Sequence, residues 1–211
     1  MNFQEALLRN FKFRRNRERC SLPIVTILRR KRRRGELVSG ITGLADMMRD
    51  MECRVGVEIG TYLGGTATIW CRVNPNLELT CIDPYRSYPG RPSQRTQNAC
   101  YEQACKALEP YNATIRRTAS MDAVGDFKNA SLDCLFIDGD HRFDMAIMDL
   151  VRWAPKVRKG GIIMLHDYTV MQHADVMRAV DSYTHCHRID PWYATMDYSP
   201  TVFWERGIER A

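Results

Sequence analysis

"VGVEIGTYLGGTAT", Val55 to Thr68, carries four glycines and one acid among mostly apolar neighbours. Val55, Val57 and Ile59 alternate as a strand does, and the residues after Gly65 read as a helix, so the glycines mark a strand-to-helix turn. In an open parallel sheet, ligands bind at the carboxyl ends of the strands, and the first such turn is the usual contact. Gly60 can turn without a side-chain clash, Gly64 and Gly65 let backbone N–H groups approach a ligand, and Glu58 supplies a carboxylate at the strand end. A tight packing turn without a ligand would use the same glycines. The spacing E-x-G-x-x-x-G-G is not the G-x-G-x-x-G that cradles a dinucleotide pyrophosphate, and a strand-end Glu repels phosphate but suits an ammonium group. The turn therefore points to a cationic nucleoside and away from NAD. Asp83 in "TCIDPY" ends the next strand, where a carboxylate can take both hydroxyls of a ribose.

Strands and helices alternate outward from this turn. The patterns predict strands at 54–59, 78–82, 113–117, 133–138 and 161–166, with helices at about 65–73, 93–108, 142–155 and 171–182. Leu37, Ile41, Leu44, Ala45 and Met48 fall at helical spacing and place a further helix from Glu36 to about Met51, where the domain begins. Such alternation predicts an α/β fold, a mostly parallel, doubly wound sheet covered on both faces. "HCHRID" and "PTVFWER" have no helix between them and are expected to close the sheet as an antiparallel pair. In the helix from Arg142, the spacing assigns Phe143, Ile147, Leu150, Val151 and Ala154 to the buried face and Asp149 to the polar one.

The composition narrows the function classes. The chain has 211 residues and a hydrophobic fraction of 45%, with no apolar run near the roughly 20 residues that cross a bilayer. "SLPIVTIL" is short, contains Pro23 and runs into "RRKRRR", so a signal peptide is not expected. Eight cysteines occur without a C-x-x-C pair, which reads as a reducing, cytoplasmic protein. The net charge of +6 is uneven: residues 1–34 hold twelve Lys or Arg against Glu5 and Glu18. The division expected is a basic extension, 1–34, followed by one domain, 35–211. A solvated tail, a nucleic acid or an anionic membrane surface would each account for the extension, although no aromatics interleave with the arginine run to stack bases.

"DCLFIDGDHRFDMAIMDLVRWAPKVRKGGIIMLHDY" carries a D-G-D segment, a W-x-P-x-x-x-x-G-G segment and a polar H-D pair in order. With Glu58, Gly60 and Asp83 ahead of it, the chain resembles the class I S-adenosylmethionine-dependent methyltransferases over about 36–205. Within that class it is similar to the small O-methyltransferases of catechol and caffeoyl type and to those acting on macrolide and aminocoumarin sugars. The resemblance implies the Rossmann-like class I methyltransferase fold and S-adenosyl-L-methionine as methyl donor. It also implies Glu58, Gly60, Tyr62 and Gly64 around the methionine moiety, Asp83 at the ribose, Ser120 by the adenine, Met121 packed on its ring, and Asp138 beside the cofactor.

"FIDGDH" and "MLHD" end adjacent strands, so Asp138, His166 and Asp167 can converge above the sheet. Such a set suits a divalent cation, Mg²⁺ by its oxygens, with the imidazole shifting preference toward Mn²⁺, Fe²⁺ or Zn²⁺. A hydrogen-bonded polar cluster of Asp138, His141, His166 and Asp167 without metal is the other reading. In the families resembled, the corresponding Asp and a later acidic pair hold the metal, and His166 departs from that pair. Methyl transfer needs a deprotonated oxygen in line with the sulfonium methyl. His141 is the favoured base and Asp138 its alternative, while an exposed His capping the next helix fits the same position. His173, His185 and His187 are not expected to share an ion, because neighbours on a strand point to opposite faces.

These readings converge on an O-methyltransferase of small molecules or saccharides. A methyltransferase acting on RNA or protein through the basic extension, or a non-catalytic nucleoside-binding module, stands as the alternative. "YRSYPGRPSQ", Tyr85 to Gln94, is either a solvated linker or a loop presenting Arg86 and Arg91 to an anionic acceptor.

Overall fold

The computed structural model describes residues 1–14, 26–30, 40–89, 92–170, 174–195 and 197–207. Its centre is the strand–turn–helix of the glycine segment. Strand β3 is Val55–Ile59 and helix α3 is Gly65–Val73. The strand starts where Asp133 Oδ2 accepts Arg54 N (2.7 Å) and Val55 N (2.9 Å), which satisfies two backbone donors at the strand entrance.

Ahead of β3 lie α1 (Phe3–Asn10), β1 (Phe11–Arg14), β2 (Thr26–Arg30) and α2 (Gly40–Asp50). After α3 come β4 (Glu78–Ile82), α4 (Gln94–Leu108), β5 (Ala113–Arg116), α5 (Ser120–Ala123), β6 (Leu132–Ile137), α6 (Phe143–Trp153) and β7 (Val157–Leu165). Helix α7 (Asp175–Cys186) and strands β8 (Tyr193–Thr195) and β9 (Val202–Glu205) complete the described chain. The sheet order is β1-β2-β8-β9-β7-β6-β3-β4-β5, with only β1 and β9 running against the rest. This is the doubly wound, mostly parallel α/β sheet expected.

Register places the site. Ile59 lies beside Ile82 on one side and Ile137 on the other, and Ile137 pairs with Leu165. The residues one step on, Asp83, Gly60, Asp138 and His166, therefore leave the sheet at one level. Ladder bonds from Gly60 N to Ile82 O (2.8 Å), Asp138 N to Ile59 O (2.7 Å) and His166 N to Ile137 O (2.9 Å) hold that level.

Two cores flank the sheet. One face buries Leu44, Met47, Trp70, Phe136, Met164 and Phe203 under α1, α2 and α3, and the other buries Ile59, Leu135, Trp153, Ile163, Val180 and Trp204 under α6 and α7. Phe136 and Leu135 illustrate the alternation: neighbours on one strand feed opposite cores. Trp70, Trp153 and Trp204 are fully buried, and truncating such a ring to alanine costs about 3–5 kcal/mol.

Several details differ from the patterns. Phe3, Ala6, Leu7 and Phe11 are buried in the first core, so the opening residues of the basic segment pack against the domain. Asn2 and Glu5 form a capping box at the start of α1. The arginine run beyond Arg30, together with Arg91 and His173, lies outside the described residues. "HCHRID" is not a strand: His185 and Cys186 close α7, because Val176, Ala179, Val180, Tyr183 and Thr184 extend its buried stripe to that point. The closing antiparallel pair is β8 with β9. In α6 the buried residues are Ala146, Asp149, Leu150 and Trp153, while Val151 is 50% exposed. Leu150 and Ala154 are buried and Ile147 packs on the second core as expected, but the stripe is shifted off Val151 and onto Asp149, the acid assigned to solvent, which is 4% exposed. The helix turns that way because Trp153, the bulkiest residue in it, takes the core position. Among the described residues no helix is long and apolar enough to cross a membrane, and their cysteines are all free.

Candidate active site

The level end of β4, β3, β6 and β7 supplies the glycine turn and the carboxylate and histidine groups of the candidate site. The glycine turn is organised by Asp83. Its Oδ2 accepts Thr61 N (3.1 Å) and Tyr62 N (3.0 Å), and its Oδ1 accepts Tyr85 N (2.9 Å). A carboxylate has about four acceptor positions, so Asp83 can hold the turn and still accept from a ligand. Gly60 (φ 87°) and Gly64 (φ 76°) occupy the left-handed region. Tyr62 is there too, at φ 48°, and leaves its ring 60% exposed over the turn.

Glu58 lies beneath the turn, 1% exposed. Burial and then the nearby Asp138 raise its pKa to about 8, with Cys81 and Thr61 offsetting part of the rise. Neither its Oε2 nor the Thr61 hydroxyl has a well-aligned hydrogen-bond partner, although Thr61 and Cys81 lie close enough to favour the ionised form. A buried carboxyl with an unsatisfied oxygen is costly, and a cation delivered to it would offset that cost.

Four groups meet beyond β6 and β7. His141 Nε2 is 3.3 Å from Asp138 Oδ1 and 3.4 Å from Asp167 Oδ2. His166 Nδ1 is 3.4 Å from Asp138 Oδ1 and 3.2 Å from Asp167 Oδ1, without a well-aligned hydrogen bond. Burial alone would lower the pKa of His166, but the two carboxylates outweigh it and push it up to about 10. The pairing with His166 draws Asp167 down to about 2 against its burial, aided by the hydroxyl of Ser199, which donates to Asp167 Oδ1. Asp138, His141 and Asp167 each offer a ligand atom within 4.8 Å of the others. The group with ligand spacing therefore holds His141 where His166 was expected beside Asp138 and Asp167, and its donors, carboxylate oxygen and imidazole nitrogen, fit a divalent transition ion such as Mn²⁺.

The adenine side differs in detail from expectation. The Ser120 hydroxyl donates to Asp149 Oδ1 (2.6 Å), and Met121 packs against the second core. Burial lifts the Asp149 carboxyl to about 6, with Ser120 opposing and Asp140 adding to the rise. Asp149 and Ser199 were invisible as site residues: one sits inside a helical pattern, and the other lies in the β8–β9 connection, over 30 residues past Asp167. The loop after β4 is tied down, with Gln94 Nε2 (3.0 Å) and Arg117 Nη2 (3.1 Å) both donating to Tyr85 O. Arg86 leans over the Tyr88 ring at 5.9 Å.

Residues 57–168, more than half of the chain, match the family model described as a methyltransferase domain. Two curated relatives are uncharacterised proteins: y4gI of Sinorhizobium fredii (24% identical over 126 residues, 56% of this chain) and R132 of Acanthamoeba polyphaga mimivirus (28% over 112 residues, 53%). The chain spans 13% and 50% of their respective lengths. Among solved structures, cofactor-bound Rv0187 from MTB superposes with a TM-score of 0.59 at 16% identity, over 83% of this chain and 84% of that one. The O-methyltransferase TomG from Streptomyces achromogenes, in complex with SAM, gives 0.58 at 16%, over 79% of each chain. The chain belongs to the methyltransferase-domain family.

Proposed function

We propose that the protein transfers a methyl group from S-adenosylmethionine to a hydroxyl of a small molecule or saccharide and releases S-adenosylhomocysteine. The observation that carries this reading is Glu58: a buried carboxyl under a glycine turn, its Oε2 unsatisfied by hydrogen-bond geometry, at the place where the cofactor's ammonium would lie. Glu58, Gly60, Tyr62 and Gly64 would surround the methionine moiety, Asp83 the ribose, and Ser120 and Met121 the base. That TomG is an O-methyltransferase solved with SAM supports the choice of oxygen as acceptor.

His141 is the base in this reading. Its Nε2 would take the proton of the acceptor hydroxyl while the oxygen forms a bond to the methyl carbon and the sulfonium bond to that carbon breaks. Asp138, at 3.3 Å, favours the imidazolium that results. A divalent cation, Mg²⁺ or Mn²⁺, would be held by Asp138 and Asp167 with His141 or His166, and when bound it lowers the pKa of an acceptor hydroxyl. His141 is then either ligand or base, and the assignment rests on whether the metal is required. A metal-free cluster is the second reading, favoured by His166: an imidazole pushed up to about 10 already places a cation between the two carboxylates.

Calorimetric titration with S-adenosylhomocysteine tests the cofactor reading, with NAD as control. Saturable binding of the first alone is expected, weakened about tenfold or more in Asp83→Ala, since hydrogen bonds to a charged group contribute about 1.5–3 kcal/mol. Binding of NAD, or of neither compound by folded protein, would overturn it. Titration with Mn²⁺ decides between the two cluster readings: saturable binding lost in Asp167→Ala supports the metal site, and no binding to the wild type supports the metal-free cluster.

The acceptor's class and the role of the basic segment belong to this proposal. An RNA or protein acceptor held through residues 1–34 would show as strongly salt-dependent nucleic-acid or protein binding that disappears when the arginine run is neutralised.

A further inference from the structure

A cavity of about 520 Å³ opens at the end of the sheet away from the glycine turn. Ile163 and Trp204, paired across β7 and β9, lie in its floor. Glu205, Arg206 and Gly207 continue its wall past Ile162 and Gly161, toward the amino end of β7. Tyr183 completes the apolar floor from α7, its ring centroid 6.1 Å from that of Trp204. The histidine and carboxylate cluster leaves the opposite end of β7, so this space belongs to neither the cofactor turn nor the cluster.

Charges of both signs line the cavity without pairing. Burial raises the pKa of Glu205, and no neighbouring cation offsets the rise. Asp190 lies on the same wall: burial raises the pKa of Tyr193, the Gln4 side chain opposes the rise, and Glu205 and Asp190 both add to it, so the two carboxylates lie near one hydroxyl. Arg206 is turned to the backbone, donating from Nε to Ala154 O and from Nη1 to Gly207 O, each at 3.2 Å. Arg188 stands exposed at the rim, and its side chain makes no ion pair or hydrogen bond among the described residues.

The backbone of Arg188 is a second, independent observation. Arg188 N donates to His185 O (3.2 Å) and Ile189 N to Thr184 O (2.9 Å), the pair of bonds that closes a helix through a left-handed residue, and Arg188 holds φ 53° there. Glycine fills such a position at the least cost. An arginine in it bears strain that the helix end does not require, which points to a use for its side chain at the cavity.

Unpaired charges of opposite sign around an apolar floor match a ligand that carries both charges itself. We propose that this cavity binds a free α-amino acid with an apolar side chain. Arg188 takes its carboxylate, Glu205 and Asp190 take its ammonium, and its side chain rests on Ile163, Tyr183 and Trp204. The volume falls in the range of about 300–1,000 Å³ that small-molecule sites occupy. An anion alone would face Glu205 without a cation between them, and an amine alone would leave Arg188 unpaired. Both contacts are charge-assisted, so a ligand that lacks either group forfeits one of the two strongest interactions the cavity offers. The proposal is independent of the cofactor reading.

Calorimetry on the full chain tests it with L-leucine and L-phenylalanine, each beside its decarboxylated amine and its deaminated acid. Saturable binding of an amino acid is expected, with its amine and its acid each weaker by about tenfold or more. Arg188→Gly is the decisive variant, because glycine suits φ 53° and the protein should melt no lower than the wild type. Its affinity for the amino acid is expected to fall by about tenfold or more, and Glu205→Gln is expected to do the same. Failure of the folded wild type to bind either amino acid would overturn the proposal. So would an amine or acid that binds as tightly as its parent, or an Arg188→Gly protein with undiminished affinity.

Discussion

Glu58→Gln is expected to stabilise the ligand-free protein at alkaline pH while weakening its hold on the cofactor. The folded-state pKa of Glu58, about 8, stands above the ordinary value of 4.5. A carboxyl raised on folding contributes stability that is fully present below the unfolded pKa and is lost as pH rises through the folded one. The window is therefore pH 4.5 to 8. Across pH 5 to 9 the wild type should lose about 4 kcal/mol through this one group, a slope that the glutamine variant lacks. Urea unfolding at pH 5, 7 and 9 without ligand reads the difference, and parallel profiles for the two proteins would refute it. Binding has the opposite sign. A cofactor ammonium favours the ionised carboxylate, so binding at pH 7 should release close to one proton in the wild type, seen as a dependence of the heat on buffer ionisation. The variant should release none from this position and bind about 10- to 100-fold more weakly. One residue thus lowers the stability of the empty fold and raises the affinity of the loaded one.

Much of this arrangement was legible because it follows from periods. Val55, Val57 and Ile59 alternate, the helical stripe of α3 follows at once, and the strand ends of "CIDPY", "FIDGD" and "MLHDY" each put an acid at the first or second residue beyond an apolar run. Parallel register then brings those ends to one level, which is why Glu58, Asp83, Asp138, His166 and Asp167 could be grouped before any coordinates. What was not legible depends on tertiary choice. Asp149 lies at a position that helical spacing alone gives to solvent, and only the need to bury Trp153 rotates it inward. Ser199 reaches Asp167 from the connection between two short strands, a region without a period to read. His141 was grouped with Asp138, His166 and Asp167 from the sequence, but its place as a ligand-spaced partner instead of His166 required the backbone path of the turn after β6. The packing of α1 was not legible either, since the partners of Phe3, Tyr193 and Phe203, lie nearly 200 residues away in sequence.

Gly60→Ala is expected to damage fold and site together. The residue stands at φ 87°, where a Cβ meets its own backbone, and conformations of this kind cost about 1–3 kcal/mol for an L side chain. The larger obstacle is external. An added Cβ would lie 2.0 Å from Asp138 O and 2.4 Å from Asp138 C, atoms of the neighbouring strand end that cannot swing aside as a side chain can. Relief requires β3 and β6 to part at the level where Asp138 N bonds to Ile59 O at 2.7 Å. Losing that bond and its packing brings the total to about 4 kcal/mol or more, among the largest single-residue effects. For a chain of this size that is a fall in Tm of about 8–16 °C. Gly125→Ala is the control, since nothing lies within 4 Å of a Cβ there. Thermal melts followed by circular dichroism decide the matter, and equal stability of the two variants would refute the steric argument. Titration of the Gly60 variant with S-adenosylhomocysteine, at a temperature where it is folded, should show binding lost as well. The shift that relieves the clash moves Asp138 away from Glu58, and Thr61 N away from Asp83. The glycine is needed there because two strand ends must approach within a backbone's width for the carboxylates they carry to face one ligand.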